Sequence, residues 1–344
     1  LNKIKFQDEK EILAWAKVNV NRQPEVINRI QKMAVKRISV RNHMLTLIQQ
    51  FDTKNLKKFI NTHRHWSENY VKVIKGEHKR IPIFNENTNK VLKSIFEYAY
   101  LSLLNNDNFW ELYGAEGNSI SKSETRTLVG AHTRICPYCD KSEITNSNES
   151  NIDHFLPKSK LPLLSIFWKN FVIACVTCNS KLVKGEACLL PVLHPYYDEI
   201  NKKIKFIFDS RTKKICVKAT KGQDQRRAEN FIQILKLRER YKEIWPRSEE
   251  IIFTKTINNL FHDYILNPRL NYKKNYNWNM IFDQSIQQRK NELLTLAGED
   301  TQIKLKTDYY DHVQINDRKM WTNELNTLMR KRIDLLKLID TKEF

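Results

Sequence analysis

Glycine is scarce in this chain: 7 residues in 344, where average usage of about 7% would give roughly 24. Neither G-x-x-x-x-G-K-[ST] nor G-x-G-x-x-G occurs, so the chain has no Walker A loop and no dinucleotide-binding fingerprint of its own. Long apolar runs are also missing. The longest, from Leu161 to Val176, is interrupted by Lys169 and Asn170, short of the ~20 apolar residues a spanning helix needs. No membrane span and no membrane partner are therefore expected. No signal peptide opens the sequence, so the expected compartment is the cytoplasm. The chain begins at Leu1, and an initiator residue or short leader is expected ahead of it.

Acidic residues are outnumbered, 39 against 59 Lys and Arg, for a net charge of +20. Such an excess calls for a polyanionic partner, nucleic acid first and anionic membrane second. Solvated basic helix faces that only keep the protein soluble are the bland counterpart. With 41% hydrophobic and 28% charged residues the composition is globular, long enough for two or three packing units.

Six cysteines are present, and four of them form two C-x-x-C pairs, Cys136-Pro-Tyr-Cys139 and Cys175-Val-Thr-Cys178. In a chain without an export signal such pairs read as metal ligands rather than disulfides. Two intervening residues let both thiolates of one knuckle face one ion. Two knuckles complete a tetrahedral sulfur site for structural Zn²⁺. Cys188 and Cys216 stand alone and are expected to be small buried residues.

The fold expected is mainly α, with a small central α/β unit clamped by the four-cysteine zinc site. Residues 1–130 read as helices. Pro24 opens one stripe through Val26, Ile27, Ile30, Met33 and Ala34, and Val91, Leu92, Ile95, Phe96, Ala99 and Leu103 form another. Lys54 to Trp66 is basic and helical in character. Asn105 to Ser123, with Gly114 and Gly117, marks a loop or boundary. Residues 131–190 hold the knuckles and nearly all chemistry-capable side chains. Residues 191–220 read as a turn-rich segment and a hairpin, Lys205–Phe208 against Lys214–Lys218. Residues 221–344 are helical again. There Asp317 can cap a helix carrying Trp321, Leu325, Leu328, Leu335 and Ile339, with Arg332 in the one gap. That stripe serves either this chain's own core or a partner.

Between the knuckles lies Ile152-Asp-His-Phe-Leu-Pro-Lys-Ser159. A second strand follows at Phe171–Ala174, and Asn179-Ser-Lys-Leu-Val-Lys-Gly185 comes after the second knuckle. A strand ending in Asp153-His154, a second strand and a helix from about Asn179 make a ββα unit whose ends the zinc clamps. Adjacent strand residues point to opposite faces, so Asp153 and His154 serve one site only if the strand end twists.

This stretch, Cys136 to Gly185, resembles the HNH endonucleases of the His-Me-finger (ββα-metal) group. The form is the zinc-bearing one, C-x-x-C…D-H…N…C-x-x-C-N-x-x-K-x-G. The resemblance implies His154 as general base, Asn170 as the brace that orients it, and Asp153 and Asn179 as ligands of a catalytic metal. Asn stands where the family name has its final His. The spacing Leu161-Pro-Leu-Leu-Ser-Ile-Phe-Trp-Lys-Asn-Phe171 ahead of Ala-Cys-Val-Thr-Cys-Asn179, followed by the turn Pro195-Tyr-Tyr-Asp198 and a hairpin, resembles HNH subunits of bacterial anti-phage defence systems. The Septu type is nearest, in which the nuclease works with an ABC/SMC-like ATPase. That resemblance implies an ATPase partner, in keeping with the missing Walker A loop.

The residue types suit phosphodiester hydrolysis. A neutral imidazole can take a proton from water near pH 7. Oxygen ligands such as Asp153 and Asn179 suit Mg²⁺ or Mn²⁺, unlike the neighbouring thiolates. Lys158, Lys181 and Lys184 flank the motif and would hold adjacent phosphates, or form a solvated face. Asn179 has the alternative role of a helix cap. Trp168 is expected in the core, and His132 and His194 in structural roles. DNA is favoured as substrate, with RNA as the alternative. A non-catalytic zinc-clamped scaffold is the competing class, though it has no need of Asp153, His154 and Asn170 together.

Overall fold

The computed structural model describes residues 53–78, 84, 86–98, 100–101, 134–145, 150–261 and 277–340. The helix expected at Pro24, the boundary at 105–123 and His132 lie outside the described residues. The fold is mainly helical with two small antiparallel sheets. Among the described residues no helix is long and apolar enough to cross a membrane. The chain divides into two compact units, one of Leu1–Tyr138, Glu143–Ile200 and Arg226–Leu235, the other of Cys139–Ser142, Asn201–Gln225 and Lys236–Phe344.

In the first unit, α1 (Thr53–Lys75) is an amphipathic helix. It buries Thr62, Trp66, Tyr70, Val73 and Ile74, a helical stripe. Lys72 and Lys75 sit in its last turn, complementing the helix dipole. Gly76, at φ +81°, closes it. Its N–H donates to Val73 O and that of Glu77 to Lys72 O, at 3.0 and 2.9 Å, the paired bonds of a Schellman stop. Helix α2 (Glu86–Tyr98) sets Leu92 and Phe96 against Phe84 and Leu163.

Strands β1 (Ser150–His154) and β2 (Phe171–Cys175) pair antiparallel, from Ser150 opposite Cys175 to His154 opposite Phe171. Every residue of β2 is buried. The connection is kept compact by two 3₁₀ turns, Pro162–Leu164 and Trp168–Asn170. No helix follows the second knuckle. Residues 176–186 are turns, because a single i to i−4 bond, Asn179 N–H to Cys175 O, is not continued by the residues after it. Ser180 N–H donates to Thr177 O, and Lys184 N–H reaches back to Cys178 O. Gly185, at φ +47°, ends the segment before a helix can extend.

The second unit begins with α3 (Ile200–Lys203) and the hairpin β3 (Ile204–Asp209) and β4 (Lys214–Ala219), where the alternating pattern placed one. Ile204, Phe206, Phe208, Ile215 and Val217 form its buried face. Cys216 falls on the opposite phase and is exposed, contrary to the burial expected of it. Helix α4 (Gln225–Ile234) returns to the first unit. The second unit continues with α5 (Leu237–Tyr241), α6 (Arg247–Phe261), α7 (Trp278–Thr295), α8 (Ile303–His312) and α9 (Arg318–Asp340). Buried Glu249 on α6 accepts from Arg289 of α7 at 3.2 Å and from Tyr310 of α8 at 2.9 Å, which ties three helices through one carboxylate.

Asp317 does not cap α9. A π-helical turn, Val313–Asp317, joins α8 to α9 without a break. The Asp317 carboxylate instead accepts from Ser210 Oγ at 3.3 Å. Leu325 and Thr322 are buried, and Trp321 meets the edge of Phe253, so the first half of α9 belongs to this chain's own core.

Candidate metal centre and active-site cleft

Cys136, Cys139, Cys175 and Cys178 are all buried, with their sulfur atoms within 4.8 Å of one another. A tetrahedral Zn²⁺ with Zn–S near 2.3 Å needs sulfurs about 3.8 Å apart, so this cluster could hold such an ion. The backbone supports that use. Cys175 N–H points at Cys136 Sγ (3.3 Å) and Cys178 N–H at Cys175 Sγ (3.4 Å), donors that stabilise thiolate charge. All six cysteines are free of disulfides. Cys188 is half-buried and burial raises its thiol pKa.

Beside this cluster lies an open cleft of about 370 Å³, lined in part by Asp153, His154, Lys158, Asn179, Lys181 and Lys184. Asp153 and His154, adjacent at the end of β1 and paired there with Val172 and Phe171, both line this one cleft. Asn170 is not in it.

His154 is buried, with its ring between Tyr100 and Phe171. Its Nε2 lies 2.8 Å from Ser165 O. A carbonyl oxygen only accepts, so Nε2 carries the proton and Nδ1 keeps the lone pair. Burial pushes its pKa down to about 4, helped by Lys158 and Lys184 and opposed by the Ser165 carbonyl. At neutral pH the ring is uncharged, with an unprotonated lone pair on Nδ1.

Asn170 is fully buried behind this histidine. Its Oδ1 accepts from Tyr70 OH (2.9 Å) and Leu156 N–H (2.8 Å). Its Nδ2 donates to Leu156 O (3.0 Å) and Leu164 O (3.2 Å). Every hydrogen-bonding position of the amide is used. The side chain staples the β1–β2 connection at two points, the second of them next to Ser165.

Asp153 is buried and meets Tyr138 OH at 2.6 Å, Lys184 Nζ at 2.9 Å from one oxygen and 3.3 Å from the other, and the His154 backbone N–H. Burial pushes its pKa up, against the pull of these partners. Lys184 also donates to His154 O at 2.7 Å and is itself buried. It is therefore an internal counter-ion, not the solvent-facing phosphate holder that its position in the sequence suggested. Lys181 is exposed, and Lys158 sits 4.1 Å over the Tyr100 ring. Asn179 is half-buried, and its N–H donates to Cys175 O at 3.1 Å.

His194 is buried, with its ring against those of Tyr70, Phe155 and Tyr197. Its Nδ1 accepts from Tyr196 N–H at 3.2 Å, and its place is in the core. Trp168 is 46% exposed, not in the core; the 3₁₀ turn that carries it turns Asn170 inward instead. Two contributors escaped sequence reasoning. Tyr138 was visible only as a filler residue of the first knuckle. Tyr70 lies 100 residues from Asn170, and no local signal links them.

The arrangement defines a protein with a buried four-cysteine cluster that could hold a metal ion and a cleft lined by acid, imidazole and amide. Part of the chain is similar to the Septu protein PtuB of Bacillus thuringiensis, 28% identical over 150 residues. These cover 44% of this chain and 53% of that protein, so the chain spans about half the length of the curated relative it matches. No family model matches the chain, and no solved structure does.

Proposed function

We propose that the chain is a metal-dependent HNH-type endonuclease that hydrolyses phosphodiester bonds of DNA, as the effector of a Septu-type anti-phage system in the cytoplasm. The similarity to PtuB supports the system. The observation that carries the chemistry is His154: one nitrogen bound to a carbonyl, the other left unprotonated, in a cleft shared with Asp153 and Asn179. The pair β1–β2 with the turns after Cys178 stands for the ββα unit, its α element reduced to turns. ATP hydrolysis would fall to an ABC/SMC-like partner, since this chain has no P-loop.

In this reading His154 Nδ1 takes the proton of the attacking water. Asn170 acts behind it, holding the connection from which Ser165 O fixes the ring. Lys181 and Lys158 hold neighbouring phosphates, which positions the strand without reading it. Asp153 offers a hard carboxylate oxygen, and Asn179 adds a second hard oxygen on the same cleft. Asp153 and Asn179 would hold Mg²⁺ or Mn²⁺, which when bound supplies charge for the scissile phosphate and the departing 3′ oxygen.

The test is incubation of the purified protein, with and without its neighbouring ATPase, with duplex DNA and RNA in Mg²⁺ or Mn²⁺. Wild type should cut DNA, and His154→Ala should lose roughly 10²–10⁴-fold in rate while keeping its fold. Cleavage of RNA alone would move the substrate. Nucleic-acid binding without cleavage in any arm would make the chain a scaffold, and an undiminished His154→Ala rate would remove His154 as the base.

A further inference from the structure

The hairpin β3–β4 has an outer face that the nuclease reading does not use. Residues 200–221 hold eight Lys or Arg and a single acid, Asp209, a concentration of charge well above that of the chain as a whole. On the outward phase stand Lys205, Ile207 and Asp209 of β3 opposite Lys218, Cys216 and Lys214 of β4. Lys205 and Lys218 are directly paired across the ladder. Like charges in that position destabilise a sheet. Among the described residues neither meets a carboxylate; the one acid on the face, Asp209, is turned to Thr212 and the Arg211 backbone.

Neither edge of the ribbon is open for strand addition. Ile215 N–H donates to Lys242 O and Arg238 Nε to Val217 O, while Phe206 N–H donates to Asp308 at 2.8 Å. The face is what remains available. An open groove of about 440 Å³ lies at the turn-proximal end of the hairpin, lined by Ile207, Cys216, Lys214, Arg238 and Lys242 together with the acids Asp209 and Glu239.

We infer that the outer face of the β3–β4 hairpin is a binding surface for the phosphate backbone of duplex DNA, separate from the cleavage cleft. A cross-strand lysine pair without counter-ions is stabilised by an anion placed between its members. Lys214 and Lys218 stand four residues apart on one strand, roughly 13 Å at a strand's rise. The B-form major groove is about 12 Å wide, so the backbone spacing of these two lysines is of the size needed to meet phosphates on its two sides. The A-form major groove of RNA is narrow and deep and does not match that spacing. The inference extends the nuclease reading by giving the enzyme a grip on DNA outside the cleft, but it is tested by binding alone.

The experiment uses the full chain carrying His154→Ala, a fluorescent 30-base-pair duplex, and a salt series. Lys205→Glu with Lys218→Glu should weaken binding at every salt concentration and make the log K against log salt slope shallower by about 1.8, the loss of two phosphate contacts. Lys255→Glu with Lys331→Glu makes the same charge change at exposed helical positions and should leave that slope nearly unchanged. Duplex DNA should also protect the exposed Cys216 thiol from alkylation. Equal slopes for the hairpin and helix variants would overturn the inference. So would a hairpin variant that loses RNA or phosphatidylserine vesicles but not duplex DNA, or a wild-type face whose Cys216 alkylates at full rate on saturating DNA. Cleavage is not read, so a failed nuclease reading leaves these outcomes interpretable.

Discussion

Tyr138 donates its hydroxyl to Asp153 Oδ2 at 2.6 Å, and Tyr138 is one of the two residues between Cys136 and Cys139. Lys184, six residues beyond Cys178, meets the same carboxylate. Each knuckle therefore delivers one partner to Asp153. A buried carboxylate with no such partners would be neutral or would unfold its surroundings. The sulfur cluster thus does more than close the ends of the strand pair: it holds the donors that keep the acid of the cleft in place.

Tyr138→Phe should keep the ring packing and remove that donor. A hydrogen bond to a charged group is worth about 1.5–3 kcal/mol, so thermal or denaturant unfolding should register a loss of that size. Since Tyr138 pulls the Asp153 pKa down, the variant's carboxyl should titrate higher still, as followed by carboxyl-carbon NMR.

Cys139→Ser should lose the bound metal. Structural Zn²⁺ in small domains contributes an apparent ~10–16 kcal/mol, far more than any single side chain here. Elemental analysis should find one zinc per wild-type chain and less in the variant, with a sharp fall in soluble yield. Absence of zinc from the wild type would refute the assignment.

Stability should fall as pH is lowered from about 6.5. His154 and His194 have native pKa values pushed down by burial to about 4 and about 3, below the ~6.5 of an unfolded chain. Between those limits the unfolded state binds more protons, so acid favours unfolding. The stability is fully present above pH 6.5 and is lost as pH falls toward 4. His154 alone accounts for about 3 kcal/mol by this argument. Urea midpoints at pH 7 and pH 5 should differ accordingly, and His194→Phe should lessen the difference.

Asn170→Ala should be among the most damaging single changes in the first unit. It strands Leu156 N–H and O and Leu164 O, all supported by this one amide, at about 1–3 kcal/mol for each unsatisfied buried group. Asn170→Asp keeps the shape but turns an acceptor toward two carbonyls, and should fare no better. Chemical denaturation measures both.

Deleting residues 317–344 should unfold the second unit rather than simply detach a partner. Thr322 and Leu325 are buried and Trp321 packs on Phe253. A soluble truncated chain with an unchanged circular dichroism spectrum would show that α9 is dispensable to the core and leave it available for docking.

Local chemistry was legible in the linear order of residues. Two C-x-x-C pairs, an alternating hairpin and the helical stripe through Leu92 and Phe96 each depend on spacings of two to four residues, which the chain itself carries. That Asp153, His154, Asn170 and Asn179 belong to one site was implied by the resemblance of the whole stretch to the HNH group, and three of them do line one cleft. Tertiary structure alone decided what each of these groups touches. Lys184 looked like a surface cation until its fold position put it 2.9 Å from Asp153; Trp168 looked like core until the turn beneath it buried Asn170. The bracing of Asn170 by Tyr70 across 100 residues has no trace in any local window. The sequence by itself determined residue type and periodicity, because those follow from nearest neighbours along the backbone. Desolvation, charge pairing and the choice of histidine tautomer arise only when distant segments exclude water together, and that was left to the fold.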